Sequence, residues 1–256
     1  PIGENVFDYD WELLIILDAC RVDALNEVQN EYEFLTDADS ILSIGSTSAE
    51  WIHNTFVQDH LEEIQSTSYV TANGFSSQLN TSVVNRLETS ETMDTVYENS
   101  PIAKWAINNT TVGGELGALH MVEGAMLNET SDRKYYHPDL VTAKAIKSAK
   151  EDDCDRLIVH YMQPHAPYIA EDSVEILLDN IDANKVKITS DHGELFGEWG
   201  LYAHIYGIPH PSLKYVPWIE TTAENRQTVD PDDLISAHNV ETGDETIEER
   251  LTNLGY

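Results

Sequence analysis

"ITSDHGELFGEWGLYAH" (residues 188–204) opens as the end of an apolar run and passes directly into carboxylates, imidazoles and glycines. Its apolar part belongs to "KVKITSD" (185–191), and the runs "ELLIILD" (12–18), "RLIVHY" (156–161) and "YVPWIE" (215–220) share that character. Short, nearly continuous apolar runs are the pattern of strands covered on both faces. Between them lie helical patterns: "SAEWIHNTF" (48–56), "PDLVTAKAIKSAKE" (138–151) and "DSVEILLDNIDA" (172–183). Strands alternating with helices of this length predict an α/β fold, a mostly parallel central sheet with helices on both faces.

Residues 58–130 are rich in Ser, Thr, Asn and Gly with weak periodicity, and the acidic tail from about 221 is expected to end in a helix near 244–253. One domain over 1–256 is expected, with 58–150 as a candidate substrate-shaping insertion.

The chain of 256 residues carries 46 Asp plus Glu against 14 Lys plus Arg, a formal net charge of −32. Acids spread along the whole chain point to life in strongly screening, high-salt solvent. They make nucleic acid and anionic membrane surfaces poor partners. The sequence contains neither a basic-then-apolar leader nor a run of about 18 apolar residues able to span a membrane. Localisation is left open between cytoplasm and cell surface. Cys20 and Cys154 lack CxxC spacing and read as small apolar side chains beside strands.

In parallel α/β sheets, ligands bind beyond the carboxyl ends of the strands. Polar groups collect there: Asp18 ends the first apolar run, His160 to His165 follow the second, and Asp191 with His192 end the third. Carboxylates and imidazoles converging from three strands suit a divalent cation, zinc or manganese, as one or two ions. "GSTSAEW" (45–51) places hydroxyls at the start of a predicted helix. Such a hydroxyl caps the helix, or it stands in the positive field that holds an anionic substrate and becomes a nucleophile beside a metal.

The motifs "ILDACRVDAL" (16–25), "HYMQPHAPY" (160–168) and "SDHGELFGEWGLYAH" (190–204) together resemble the alkaline-phosphatase/sulfatase superfamily. The match is to its sulfatase-like branch, which includes phosphoethanolamine transferases and lipoteichoic-acid synthases, and the wording is similar to haloarchaeal members. The resemblance implies an alkaline-phosphatase-like fold, with Asp18, Asp191 and His192 as ligands of the principal metal and the nucleophilic oxygen as the fourth. It implies that His204 and His165 serve a second metal or the transferred group, and that His160 faces the substrate. Family members read Thr-Pro-Glu-Trp where this chain has Ser48-Ala-Glu-Trp51, so Ser48 is the preferred nucleophile and Thr47 the alternative.

The implied activity is hydrolysis or transfer of a phosphate ester, through a covalent seryl intermediate, on a small-molecule, glycan or lipid head-group substrate. His165 or His160 would protonate the leaving group. Neither Cys20 nor Ser48 is followed by x-Pro-Ser-Arg, which departs from formylglycine sulfatases and disfavours their chemistry. A sulfuric-ester hydrolase without formylglycine and a non-catalytic anion-binding module are the competing readings. Glu194 is expected to bond a ligand histidine rather than the metal. Gly193, Gly197 and Gly200 are expected to serve backbone freedom or close approach. Asp18 as a helix cap, Arg21 with Asp23 as a surface pair, and His210 in a rigid Pro-flanked loop are the structural alternatives.

Overall fold

A computed structural model describes residues 2–35, 39–80, 112, 115–122, 137–164 and 170–239. Its centre is a seven-stranded sheet of order β2-β9-β6-β1-β5-β3-β4, with β1 Leu13–Asp18, β2 Asp39–Leu42, β3 Thr67–Thr71, β4 Ala118–Met121, β5 Arg156–Pro164, β6 Ala183–Thr189 and β9 Tyr215–Ala223. All four strands expected from the apolar runs are present. β1, β3, β4, β5 and β6 run parallel, while β2 and β9 pair antiparallel at one side. This is the mostly parallel α/β architecture the alternation predicts. A small antiparallel pair, β7 Leu195–Phe196 and β8 Tyr202–Ala203, stands apart from the sheet.

Every residue of β1 is buried, because helices cover both faces of the sheet. Leu13, Ile15 and Leu17 face a layer that includes α4 (Pro138–Glu151) and α5 (Ala170–Leu178). Leu14 and Ile16 face Trp51 and Ile52 of α2 (Ser48–Thr55) together with Phe56. Alternation sends successive side chains to opposite faces, so Asp18 continues the Leu14–Ile16 row toward α2. β1 aligns Ile16 with His160 of β5 and with Thr189 of β6. Asp18 and Asp191 each lie two residues past that level, on adjacent strands and at the same edge.

Differences from expectation have local causes. α5 ends at Leu178, and Ala183, expected inside that helix, opens β6. The Asp179–Asp182 turn between them is held by Asn180, which donates to the Ile176 carbonyl and to Thr228. β3 and β4 come from the stretch set apart as a candidate insertion and are strands of the central sheet, so this part of the stretch is scaffold. β3 reads "TSYVT" and escapes an apolar search because its polar groups are satisfied internally. Thr67 Oγ1 donates to the Glu63 carbonyl, and Ser68 Oγ donates to Asp152 at 2.6 Å. The acidic tail forms α7 (Pro231–Asn239), after α1 (Val22–Val28), α3 (Leu61–Gln65) and α6 (Pro211–Lys214). The helix expected near 244–253 lies outside the described residues. No helix among the described residues is long and apolar enough to cross a membrane.

Candidate functional site

Asp18, Asp191 and His192 bring one ligand atom each within 4.8 Å of one another, and all three are buried. His192 Nε2 lies 3.5 Å from Asp18 Oδ1 and 3.5 Å from Asp191 Oδ2. His192 Nδ1 stands 2.7 Å from the Gly193 carbonyl, to which it donates. That bond fixes Nδ1 as a donor and leaves Nε2 directed into the cluster.

Ser48 closes the group. Its Oγ donates to Asp18 Oδ1 at 3.0 Å and lies 3.3 Å from His192 Nε2. The other two hydroxyls of the Ser-Thr-Ser run are engaged elsewhere. Thr47 caps α2 by accepting from the Glu50 N–H at 3.2 Å. Ser46 Oγ bonds Glu50 Oε2 at 2.6 Å and accepts from the Gly207 N–H at 2.9 Å. The hydroxyl that faces the carboxylates therefore belongs to Ser48, and capping occupies Thr47.

Two buried carboxylates this close are costly without a cation. Asp191 Oδ1 accepts from the Ala19 and His192 N–H groups at 3.2 and 2.9 Å, yet Oδ2 has no hydrogen-bond partner. His160 Nε2, also without one, faces it at 3.6 Å. Orphaned oxygen, oriented imidazole and paired carboxylates fit a divalent cation on chemistry alone. Burial opposes charge on His192, but the Asp191 and Asp18 carboxylates outweigh it and raise its pKa to about 9. His160 behaves oppositely: burial lowers its pKa to about 4 despite Asp191 nearby. Its Nδ1 bonds the Tyr69 hydroxyl at 2.6 Å and its ring packs edge-on against Trp51. His160, expected to face the substrate, is fully buried and lies against Asp191.

His204 lies beside the cluster, its ring centroid 4.6 Å from that of His192. Glu194 Oε2 bonds His204 Nδ1 at 3.0 Å, the outer contact expected of it. His165 lies outside the described residues. Asp18 does not cap α1, which begins after Arg21 with no side-chain cap. Arg21 reaches beyond Asp23 to the Glu194 carbonyl at 3.0 Å and to Glu198 at 2.6 Å, so it fastens the 194–198 loop. His210 caps α6 by accepting from the Ser212 N–H at 3.1 Å, the rigid-loop role.

Sequence reasoning passed over the Ser46–Glu50 pair. Glu50 also accepts the Ser46 N–H at 2.8 Å, and Ser46 Oγ lies 3.0 Å from the Ile205 carbonyl oxygen. Together they tie the loop carrying His204 to the first turn of α2. The signal was the carboxylate three residues after a Ser/Thr at a helix start. Around this mouth Phe196, Trp199, Tyr202 and Tyr206 are all more than half exposed, an aromatic rim on an otherwise acidic molecule.

No family model matches the sequence, and no curated protein does. Solved structures are similar in fold. The soluble domain of lipooligosaccharide phosphoethanolamine transferase A from Neisseria meningitidis aligns with TM-score 0.50 and 13% identity, over 88% of this chain and 80% of that one. The C-terminal periplasmic domain of a phosphoethanolamine transferase from Campylobacter jejuni aligns with TM-score 0.47 and 12% identity, over 96% and 94%. The intact integral membrane transferase from N. meningitidis aligns with TM-score 0.43 and 15% identity, over 90% of this chain and 52% of that one.

Proposed function

For a chain whose α/β fold is the alkaline-phosphatase-like fold of a phosphoethanolamine transferase's soluble domain, we propose that it is a metal-dependent enzyme that transfers or hydrolyses phosphoric esters through Ser48. The observation that carries this reading is the approach of Ser48 Oγ to Asp18 and His192 within a buried Asp18–Asp191–His192 set.

Asp18, Asp191 and His192 would hold the cation. When bound there it supplies positive charge that lowers the pKa of the serine hydroxyl and offsets charge on the phosphoryl oxygens. The residues do the rest. Ser48 Oγ, its proton released to solvent, attacks phosphorus in line, forming the Oγ–P bond as the bond to the leaving oxygen breaks. His204, oriented by Glu194 and partly open to solvent, gives that oxygen its proton. Water or an acceptor hydroxyl then attacks the phosphoseryl group and returns a proton to His204, the Oγ–P bond breaks, and Ser48 Oγ takes its proton back from solvent. Asp191, backed by His160 and by backbone N–H groups, keeps its carboxylate fixed throughout. The aromatic rim favours an ester attached to a sugar or lipid head group, because exposed rings stack on sugar faces and apolar chains.

The test is the Ser48→Ala variant assayed on aryl phosphate, aryl phosphodiester and aryl sulfate with zinc or manganese supplied. Turnover of the phosphorus esters is expected to drop by at least about a thousandfold with the circular dichroism spectrum unchanged. Turnover near the parent level would remove Ser48 as nucleophile. A parent enzyme preferring the sulfate would move the assignment to sulfuric esters, and none on any ester would favour an anion-binding module.

A further inference from the structure

A second cluster lies in the helical layer rather than over the strands. His137 precedes α4, Asp139 is in the first turn of α4, and His238 is in the last turn of α7. In a parallel β4–α4–β5 crossover the helix starts at the edge where strands end, so this cluster shares an edge of the molecule with the Ser48 site. Nothing in the mechanism uses it.

Its geometry is that of a ligand set. One ligand atom from each residue lies within 4.8 Å of the others. His238 Nε2 stands 2.9 Å from Asp139 Oδ2, and His137 Nδ1 stands 3.5 Å from the same oxygen. Ligands about 2.0–2.1 Å from a tetrahedral zinc stand roughly 3.3 Å apart, which is the spacing found. His137 Nδ1 accepts the Asp139 N–H at 3.3 Å, a long cap bond that holds the ring beside the carboxylate. Ser173 Oγ of α5 donates to the other Asp139 oxygen at 2.5 Å, an outer contact that fixes a ligating carboxylate.

The His238–Asp139 ion pair and the cap that His137 gives the Asp139 N–H are separate contacts, whereas a cation would draw all three residues to one centre. The two rings stack with centroids 3.8 Å apart and planes at 21°, a distance at which two charged imidazoles repel. One divalent cation satisfies both lone pairs and the carboxylate together. Side-chain exposures of 17–25% allow ion entry and let the rings splay from their stack toward the metal. Two imidazoles and one carboxylate select a late first-row ion of the zinc kind over magnesium or calcium.

We propose that His137, Asp139 and His238 form a second divalent-cation site, of the zinc class, that clips α7 to α4. Solvent completes the coordination, and the ion fastens α7 to the body of the fold.

The test uses full-length protein stripped with chelator and reloaded with zinc. The parent is expected to take up two equivalents, and His238→Ala and Asp139→Asn one each. Asp191→Ala is expected to keep one, which His238→Ala in the same background removes. Cobalt in the Asp191→Ala protein is expected to give the visible absorption of a tetrahedral N/O site, absent after His238→Ala. Zinc is expected to raise the melting temperature of Asp191→Ala but not that of the double variant. Uptake and melting unchanged by both His238→Ala and Asp139→Asn would overturn the site. Failure here leaves the Asp191-dependent equivalent in place, so the two metal readings stand or fall separately; should Asp191→Ala not fold, the parent against His238→Ala decides.

Discussion

Ala19 and Ala203 adopt left-handed backbone, with φ of 57° and 65°, next to Asp18 and His204. Only Gly takes that conformation without cost, and a non-glycine residue held there stores about 1–2 kcal/mol. Strain at both sites sets the direction of the neighbouring side chain, Asp18 in one case and His204 in the other. Ala203→Val is expected to lose about 1–2 kcal/mol in urea unfolding, while Ala203→Gly keeps at least parental stability; a valine variant as stable as the parent would show that the conformation is not required. His160 gives a prediction in pH. Its neutral ring is the native form, with a pKa lowered from 6.5 to about 4 by burial. The unfolded chain therefore binds more protons between those values, so this contribution is full above pH 6.5 and is lost as pH falls toward 4. The loss is on the order of 3 kcal/mol, and His160→Gln is expected to flatten that part of the stability curve relative to the parent. Parallel curves for the two proteins would place the ring in a polar setting instead.

Among the elements, the loop after β6 is seated against α6. A Cβ on Gly193 would meet the Ser212 carbonyl oxygen at 2.0 Å, and the Gly193 N–H donates to the Leu213 carbonyl at 2.9 Å. Gly193→Ala must push these backbones apart and is expected to cost about 2 kcal/mol and to displace His192, so zinc affinity should fall with stability; a variant matching the parent in both would reject the close approach. The tie between α2 and the His204 loop predicts a different signature. Glu50→Gln keeps the shape but weakens the bonds to Ser46, and turnover is expected to drop about tenfold with zinc content unchanged. Loss of zinc in that variant would mean that Glu50 supports the metal ligands instead.

What was legible divides along the same physical lines. Strands buried on both faces announce themselves by composition, which is why β1, β5, β6 and β9 were found, and polar groups at their ends marked Asp18, Asp191 and His192. Direction is not encoded in an apolar run, so β9 carried no sign of running antiparallel. β3 hid behind side chains satisfied by partners distant in sequence. α7 carried an ordinary start signal, Asp230 before Pro231, with Asp230 accepting the Asp232 N–H at 2.9 Å, masked by the acidity of the whole tail. Ser48 is preferred to Thr47 in the sequence by resemblance alone, and the turn of α2 gives the physical difference, directing one hydroxyl to a backbone N–H and the other to Asp18.

At the scale of the whole molecule, a charge of −32 sets the conditions under which these local arrangements hold. Screening shortens from about 10 Å at 0.1 M salt to about 3 Å at 1 M, which relieves repulsion across the acidic surface. The melting temperature is expected to rise by at least about 5 °C over that range; a flat or falling dependence would show that the acids are locally compensated. The order of the sheet has a consequence for synthesis. β1 is made well before β6, its partner on one side, and the Ala19–Asp191 hydrogen bond spans 172 residues. Until β6 emerges, β1 keeps one edge open and Asp18 has no companion carboxylate. Any species arrested before about residue 190 lacks Asp191 and His192, so the Asp18–Asp191–His192 cluster comes together only when the sheet closes.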